Sequence, residues 1–491
     1  MGVVVTQSIK NTIITCFGFG IGAVNTLFLF TNFMDAEHYG LVSYLLSAAN
    51  LVWPLMIFGV QNTLVKFFSS YQDSEQQNRF LTLMVILPFC VALFLGGIGL
   101  LFYNSILGLF EDKNTIVQPY VWTIFVLAFA ISYFEVFFAW SKVKLKSVFG
   151  NIMKELFLRI CISVLLCLLY FEMITQEHFI YALVLVYLLR TIIMKLYAIK
   201  LHRFVPRLVL PDNYKSVFKY SSLILIAGSV ASLLIDLDKA MIERYLPIEN
   251  VANYGMCAYI ASVISIPSRA MHQITYPLTA KLINEKANIQ LGELYKKSSL
   301  NLFITSGLLF VLIVCNVNQL FEIIPEEYTL FIWVVVFIGC TKLFDNLVGN
   351  NNSILYNSDY YRIVLSIGIG MSILTVVLNM IFIPTIGTTG AAIATFLSIS
   401  CYHLIKLWIV YAKFNMFPFS KKTLPSLIII IGFTFLFYYL EFTFFHPIIS
   451  IIIKSIFICI AFTLVIYVLQ ISSDINHLIK KFFLDRFNIK I

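Results

Sequence analysis

Along its 491 residues the chain repeats one pattern, continuous apolar runs of about twenty residues separated by short polar connections. Fourteen runs stand out, at 12–33, 42–66, 80–103, 117–140, 147–170, 178–201, 217–238, 251–276, 298–317, 328–349, 361–383, 388–411, 424–441 and 448–470. At about 1.5 Å of helix per residue, each covers the roughly 30 Å of bilayer hydrocarbon. Transmembrane strands would instead alternate apolar and polar positions over about ten residues. The pattern predicts an all-α polytopic membrane protein with about fourteen transmembrane helices. The first run follows a single basic residue, Lys10, and has no A-x-A cleavage site, so it is expected to be retained.

The connections are too short to hold a soluble domain. The longest, His202–Ser216, carries Pro206 and Pro211 and divides the runs six before and eight after. The expected organisation is a first lobe at 1–201, a linker at 202–216, a second lobe at 217–411, two additional spans within 412–470 and a basic tail at 471–491. An internal repeat supports the division. Tyr39-Gly40, Tyr44 and Ser47 in the second run recur as Tyr254-Gly255, Tyr259 and Ser262 in the eighth, all at an offset of 215. Six runs per half give the halves the same orientation, related by an axis along the membrane normal, an arrangement able to enclose a central cavity and rock.

Charge then orients the chain. If the N-terminus is cytoplasmic, 25 of the 34 Lys and Arg residues fall in inside segments, 3 in outside segments and 6 within runs. Such a bias predicts that both termini are inside. It also accounts for the net charge of +9 without any nucleic acid. Composition excludes other classes: 60% hydrophobic residues, 12% charged and a mean hydropathy of +0.90 cannot clothe a soluble enzyme, a disordered chain or a secreted disulfide scaffold. The nine cysteines lie in apolar runs without CxxC or Cys/His metal spacing. No GxxxxGK[ST] loop is present. Gly18, Gly20 and Gly22, inside the first run, predict close helix packing rather than a nucleotide loop. No cofactor is implied.

Polar residues in hydrocarbon are costly, so their helical phase is informative. In the eighth run Ser262, Ser265, Arg269, His272, Gln273 and Tyr276 share one face, and Pro267 predicts a kink beside the arginine. Ser43, Ser47, Asn50, Pro54 and Gln61 form the corresponding stripe of the second run. Ser222, Ser229, Ser232 and Asp236 line the seventh, and Lys342, Asp345, Asn346, Gly349 and Asn350 occupy adjoining faces of the tenth. Asn25 and Asn32 belong to the first. The candidate substrate pathway is Arg269, His272, Gln273, Tyr276, Ser265, Asp236, Lys342, Asp345, Asn50, Gln61 and Asn25. Each has a structural alternative. Arg269 can snorkel to the interface, Lys342 and Asp345 can clamp one another at i, i+3, and Asp236 can pair with Lys239. His272 can be a plain hydrogen-bonding residue. Glu155 and Arg159 form an i, i+4 pair read as structural, and the isolated Lys406 and Lys454 are read as snorkelling. Glu135, near the inner end of the fourth run, is read as solvated. Glu135 and Asp236 are the candidates for ion coupling. No catalytic constellation appears, and a cavity of net positive charge suits a phosphate-bearing cargo.

The stretch from Phe33-Met34-Asp35-Ala36-Glu37-His38-Tyr39-Gly40 to Phe58-Gly59-Val60-Gln61-Asn62 resembles the first hairpin of Wzx-type polysaccharide (O-antigen) flippases of the MOP exporter superfamily. Asp236–Tyr276, with Asp238-Lys239, Tyr254-Gly255 and Pro267-Ser268-Arg269, is similar to the start of their second half. Pro384-Thr385-Ile386-Gly387-Thr388-Thr389-Gly390-Ala391-Ala392 is similar to their twelfth-span motif. The resemblance implies two six-helix lobes, a cationic central cavity and alternating access. The implied cargo is an undecaprenyl-pyrophosphate-linked oligosaccharide, moved from the inner to the outer leaflet of a bacterial cytoplasmic membrane. The implied partners are membrane lipids and the polymerase and chain-length proteins of the same pathway. Spans 13 and 14 resemble the pair that forms a lipid-tail groove in lipid II flippases. Those proteins carry an arginine–aspartate pair in the first span, which is missing here, so a peptidoglycan precursor fits less well. A cation-coupled multidrug exporter of the same fold is the alternative. A membrane polymerase or ligase is disfavoured by the short outside connections.

Overall fold

The computed structural model describes residues 2–480 except 72, 111–113, 145, 203–204, 329–330, 441–445 and 478–479. Side chains at 2–6, 8–9, 226–235, 270, 273, 361 and 365 also lie outside the described set. The protein is an all-α polytopic membrane protein, and each predicted run coincides with a helix or an interrupted helix. These are α1 (Gly2–Val24, Asn25–Leu29, Phe30–Phe33), α2 (Ala36–Ile57, Val60–Phe67), α3 (Ser74–Leu101), α4 (Thr115–Tyr120, Val121–Val143) and α5 (Ser147–Ile152, Met153–Phe157, Leu158–Tyr170). They continue with α6 (Gln176–Leu201), α7 (Tyr214–Tyr245), α8 (Glu249–Ser262, Val263–Ser265, Ile266–Asn284), α9 (Asn288–Phe321) and α10 (Ile332–Val348). The last are α11 (Tyr361–Ile386), α12 (Thr388–Phe414), α13 (Thr423–Tyr438) and α14 (Pro447–Val468). Among the described residues, nine helices are long and apolar enough to cross a membrane. α10 and α13 fall short at 17 and 16 residues, α5 and α8 are interrupted, and α7 is the fifth that is not among the nine.

Each interruption has a local cause. The second run, expected to be continuous, breaks after Pro54 where Phe58 and Gly59 adopt positive φ of 53° and 70°. A side chain on Gly59 would meet the Ser221 carbonyl at 2.5 Å, so the break admits α7 at close range. The kink predicted at Pro267 is realised as a 3₁₀ turn, Val263–Ser265, because proline supplies no N–H to continue the ladder. Asn346 on α10 donates to the carbonyl of Ile264 at 2.9 Å. π-Helical turns interrupt α1 at Asn25–Leu29 and α5 at Met153–Phe157. Asn25 joins the two helices, donating to the Arg159 carbonyl at 2.8 Å and accepting from the Ser163 hydroxyl at 2.6 Å.

By internal contacts the chain forms two compact units. Unit 1 is Met1–Met256, Glu327–Thr329 and Val376–Ala391; unit 2 is Cys257–Glu326, Leu330–Thr375 and Ala392–Ile491. In unit 1, α2, α3, α4 and α6 pack around Phe80, Phe134, Trp140 and Met194. α7 packs on α2 in the same unit, and its far end is pinned where Asn114 donates to the Glu243 carboxylate at 3.0 Å and to the Glu243 carbonyl at 2.7 Å. The Pro384–Gly390 corner also belongs here. Gly387 turns at φ +71°, and a side chain on Gly390 would collide with the Phe382 carbonyl. In unit 2, α9 is the central post. Phe303, Phe310 and Val311 meet Ile430 of α13 and Ile458, Phe462 and Ile466 of α14. Lipid tails are as apolar as these side chains, so close packing and interhelical hydrogen bonds hold the helices together. One such bond overturns an expectation: Lys454 does not snorkel but is fully buried and donates to the Cys315 carbonyl at 2.5 Å.

Candidate functional site

Unit 1 gathers part of the predicted polar set. The Asp236 carboxylate on α7 accepts hydrogen bonds from Ser47 and Asn50 on α2, so stripes read separately in the sequence face one another. Two residues along, Asp238 is buried between the Tyr254 hydroxyl and Asn379, whose amide donates at 3.0 Å. Glu135 is buried rather than solvated, and Lys154 sits 2.5 Å from it across α4 and α5. Lys142 and Arg190 add positive charge around the same carboxylate. Arg190 is buried against the rings of Phe134 and Tyr187, at 4.0 and 4.9 Å. The Glu155–Arg159 pair forms as expected, at 2.8 Å.

Unit 2 holds a second cluster centred on Asp345 of α10. His403 of α12 places Nε2 3.3 Å from Asp345 Oδ1. Lys342, Lys406 and His272 lie around the same carboxylate, from α10, α12 and α8. Lys406 is not a snorkelling surface residue. It is fully buried, donates to Asn352 Oδ1 at 2.7 Å and rests 3.9 Å above the Tyr402 ring. Asp345 itself remains partly open, with 40% of its side chain exposed. Three residues before His272 on the same helix, Arg269 is exposed. Two lysines and two histidines thus accompany one carboxylate on membrane-embedded helices, with Arg269 about one turn from His272, which equips this surface to hold an anion by charge-assisted hydrogen bonds.

The remaining predicted residues divide between structural and accessible positions. Asn25 is the buried tie between α1 and α5. Ser262, Ser265 and Ser268 each return their hydroxyl to the carbonyl three residues back at 2.7 Å, so the stripe of α8 is partly satisfied by its own backbone. Tyr276 is 46% exposed. Gln61 follows the α2 break and buries Oε1. The Gln273 side chain lies outside the described residues. Asn346 and Asn350 bind α8 through the Ile264 carbonyl and the Thr279 hydroxyl. Arg190, Asp238, His403 and Lys406 were not singled out as site residues from the sequence. The available signal for the last two was His403 and Lys406 at i, i+3 on one face of an apolar helix. Among the described residues, no three His, Cys, Asp or Glu side chains come together in a way that could hold a metal ion.

Residues 4–283 match the family model described as polysaccharide biosynthesis protein. The whole fold is similar to the lipid II flippase MurJ in an inward closed conformation, at 15% identity and a TM-score of 0.70, covering 94% of this chain and 100% of that one. It is also similar to a multidrug resistance MATE family transporter of the MOP superfamily, inward-facing, at 13% identity and a TM-score of 0.64, covering 83% and 98%. A MOP superfamily transporter from Pyrococcus furiosus, described as having a binding pocket of reverse polarity, aligns at 13% identity and a TM-score of 0.52 over 84% and 93%. At these identities the likeness is one of fold. No curated protein matches the chain.

Proposed function

Because this chain belongs to the polysaccharide biosynthesis protein family, we propose that it is a non-enzymatic membrane transporter, a flippase for an undecaprenyl-pyrophosphate-linked oligosaccharide. In this reading it works in a bacterial cytoplasmic membrane with both termini inside. The sequence halves 1–201 and 217–411 alternate access between the leaflets, and the polymerase and chain-length proteins of the pathway receive the product.

The observation that carries the reading is the Asp345 cluster. Ionised groups within hydrocarbon cost several kcal/mol each unless paired or used, on the order of 2.5–3.5 for a lysine or arginine at mid-helix. Lys342 and Lys406 outnumber the single carboxylate of Asp345, and His272 and His403 add donors. The surplus positive charge is what a pyrophosphate needs to leave water. The partly open Asp345 can release its cations to a stronger anion as the head group arrives and reclaim them as it leaves. Arg269 supplies a permanent, forked donor at an exposed position of the same helix.

A second reading, a cation-coupled multidrug exporter, is favoured by Asp236, a membrane carboxylate that lies near Lys239 and accepts from Ser47 and Asn50. Deleting the gene from its host separates the two. Accumulation of lipid-linked oligosaccharide on the inner leaflet, reversed by the intact gene, supports the flippase. Normal lipid-linked oligosaccharide with new sensitivity to toxic cations overturns it in favour of the exporter.

A further inference from the structure

In unit 1, α3, α4 and α6 enclose an apolar groove of about 460 Å³. It runs from Phe129 to Trp140 along α4 and from Leu188 to Ile199 along α6, eleven residue steps on each. At about 1.5 Å per residue this is roughly 16 Å, close to half of the roughly 30 Å hydrocarbon core and therefore one leaflet. Its rim is exposed, at Phe89 (46%) and Ile192 (54%). The two hydroxyls of its walls are already engaged. The Tyr133 hydroxyl donates to the Val85 carbonyl at 2.9 Å, and Thr191 donates to the Ala130 carbonyl at 2.8 Å. Water therefore has little to bind inside, and hydrocarbon fits.

One end of the groove is charged. Lys195 lines it, is exposed and has no ion-pair partner among the described residues. Lys142 and Lys144 follow at the same end of α4, and Lys200 at the end of α6. Lys142 and Lys144 rest over the rings of Phe138 and Phe68, at 3.9 and 4.7 Å, which leaves Lys195 as the ammonium that accompanies the groove. Its long stem can lie along the apolar wall and raise the charge to head-group level.

We infer that this groove is a binding site for one anionic phospholipid, with an acyl chain between α3, α4 and α6 and the phosphate at Lys195. The one-leaflet length favours a phospholipid chain over a polyprenyl chain, which is far longer than the groove. The basic end selects an anionic head group. The site is independent of the proposed cargo.

The test uses the purified full-length protein in detergent. Native mass spectrometry counts retained dioleoylphosphatidylglycerol against dioleoylphosphatidylcholine, which carry the same chains, and against undecaprenyl phosphate. The wild type should retain phosphatidylglycerol roughly fivefold over phosphatidylcholine, the weight of one lysine at an anionic surface. Lys195→Gln should bring the two to parity, and Ile192→Trp, a rim change, should reduce retention of both. Equal retention of the two phospholipids by the wild type overturns the site, as does an undiminished preference in Lys195→Gln. Stronger retention of undecaprenyl phosphate that Ile192→Trp abolishes would assign the groove to a polyprenyl chain and overturn the phospholipid. Should a variant melt lower in detergent alone, the wild-type preference decides by itself.

Discussion

The ammonium group of Lys406 donates to Asn352 Oδ1 at 2.7 Å while no part of the lysine side chain is exposed. A charge at that depth persists only if neighbours replace water, and Asp345 is the acidic neighbour. Lys406→Met should therefore lower the melting temperature in detergent and depress transport. Breaking a fully buried pair costs about 3–5 kcal/mol. Because Asp345 is partly open, the expected loss is nearer 1–3 kcal/mol after discounting for screening. Adding Asp345→Asn should recover part of the loss, since both charges are then gone. Strictly additive losses would show that the two groups do not act together.

Arg269 should be the substitution most damaging to transport. Losing one charge-assisted contact to a phosphate costs on the order of 1.5–3 kcal/mol, roughly ten- to a hundredfold in binding. Arg269→Ala should abolish or greatly reduce surface polysaccharide in a complemented deletion strain at normal membrane level, and Arg269→Lys should rescue only partly. Full complementation by the alanine variant would remove the arginine from the cargo path.

Glu135 is expected to matter for stability rather than for coupling. Glu135→Gln leaves Lys154, Lys142 and Arg190 facing one another, whereas Lys154→Ala leaves the carboxylate with two cations. The glutamine variant should melt lower than the alanine variant, and transport per folded molecule should be largely kept. Loss of transport at an unchanged melting temperature would identify a coupling carboxylate and favour the exporter.

Reporter domains fused after Ile491 and inserted at Lys421 should both read cytoplasmic. The expectation rests on the 25-to-3 distribution of basic residues. An external signal at either point would break the even span count.

Much of this architecture was legible because hydrocarbon leaves the backbone few choices. Every apolar run had to satisfy its own hydrogen bonds and became a helix. Glu155 with Arg159, and the break before Pro267, depend only on neighbours within one helix and were equally readable. What escaped depends on partners from other helices. Lys406 and Lys454 read as isolated along the chain, yet α10 with its following turn and α9 bring Asn352 and the Cys315 carbonyl to them. Asn25 read as a pathway candidate, but its amide ties α1 to α5. The break at Phe58-Gly59 carries a glycine signal, although only the approach of Ser221 shows why that glycine is there.

The π-helical turn at Asn25–Leu29 puts one more residue into α1 than an α-helix of the same length would hold. The register before it is therefore offset from the register after it by one residue, about 100° of rotation. Before the turn, Gly18 lies against Glu155 and Arg159; after it, Phe30 stacks on Tyr39 at 4.5 Å. Only the extra residue lets a single helix present both faces at once. Removing any one residue between 25 and 29 would keep the apolar composition and length almost unchanged, yet force the helix to give up one set of neighbours. A one-residue deletion there should be more damaging than most substitutions in the same turn.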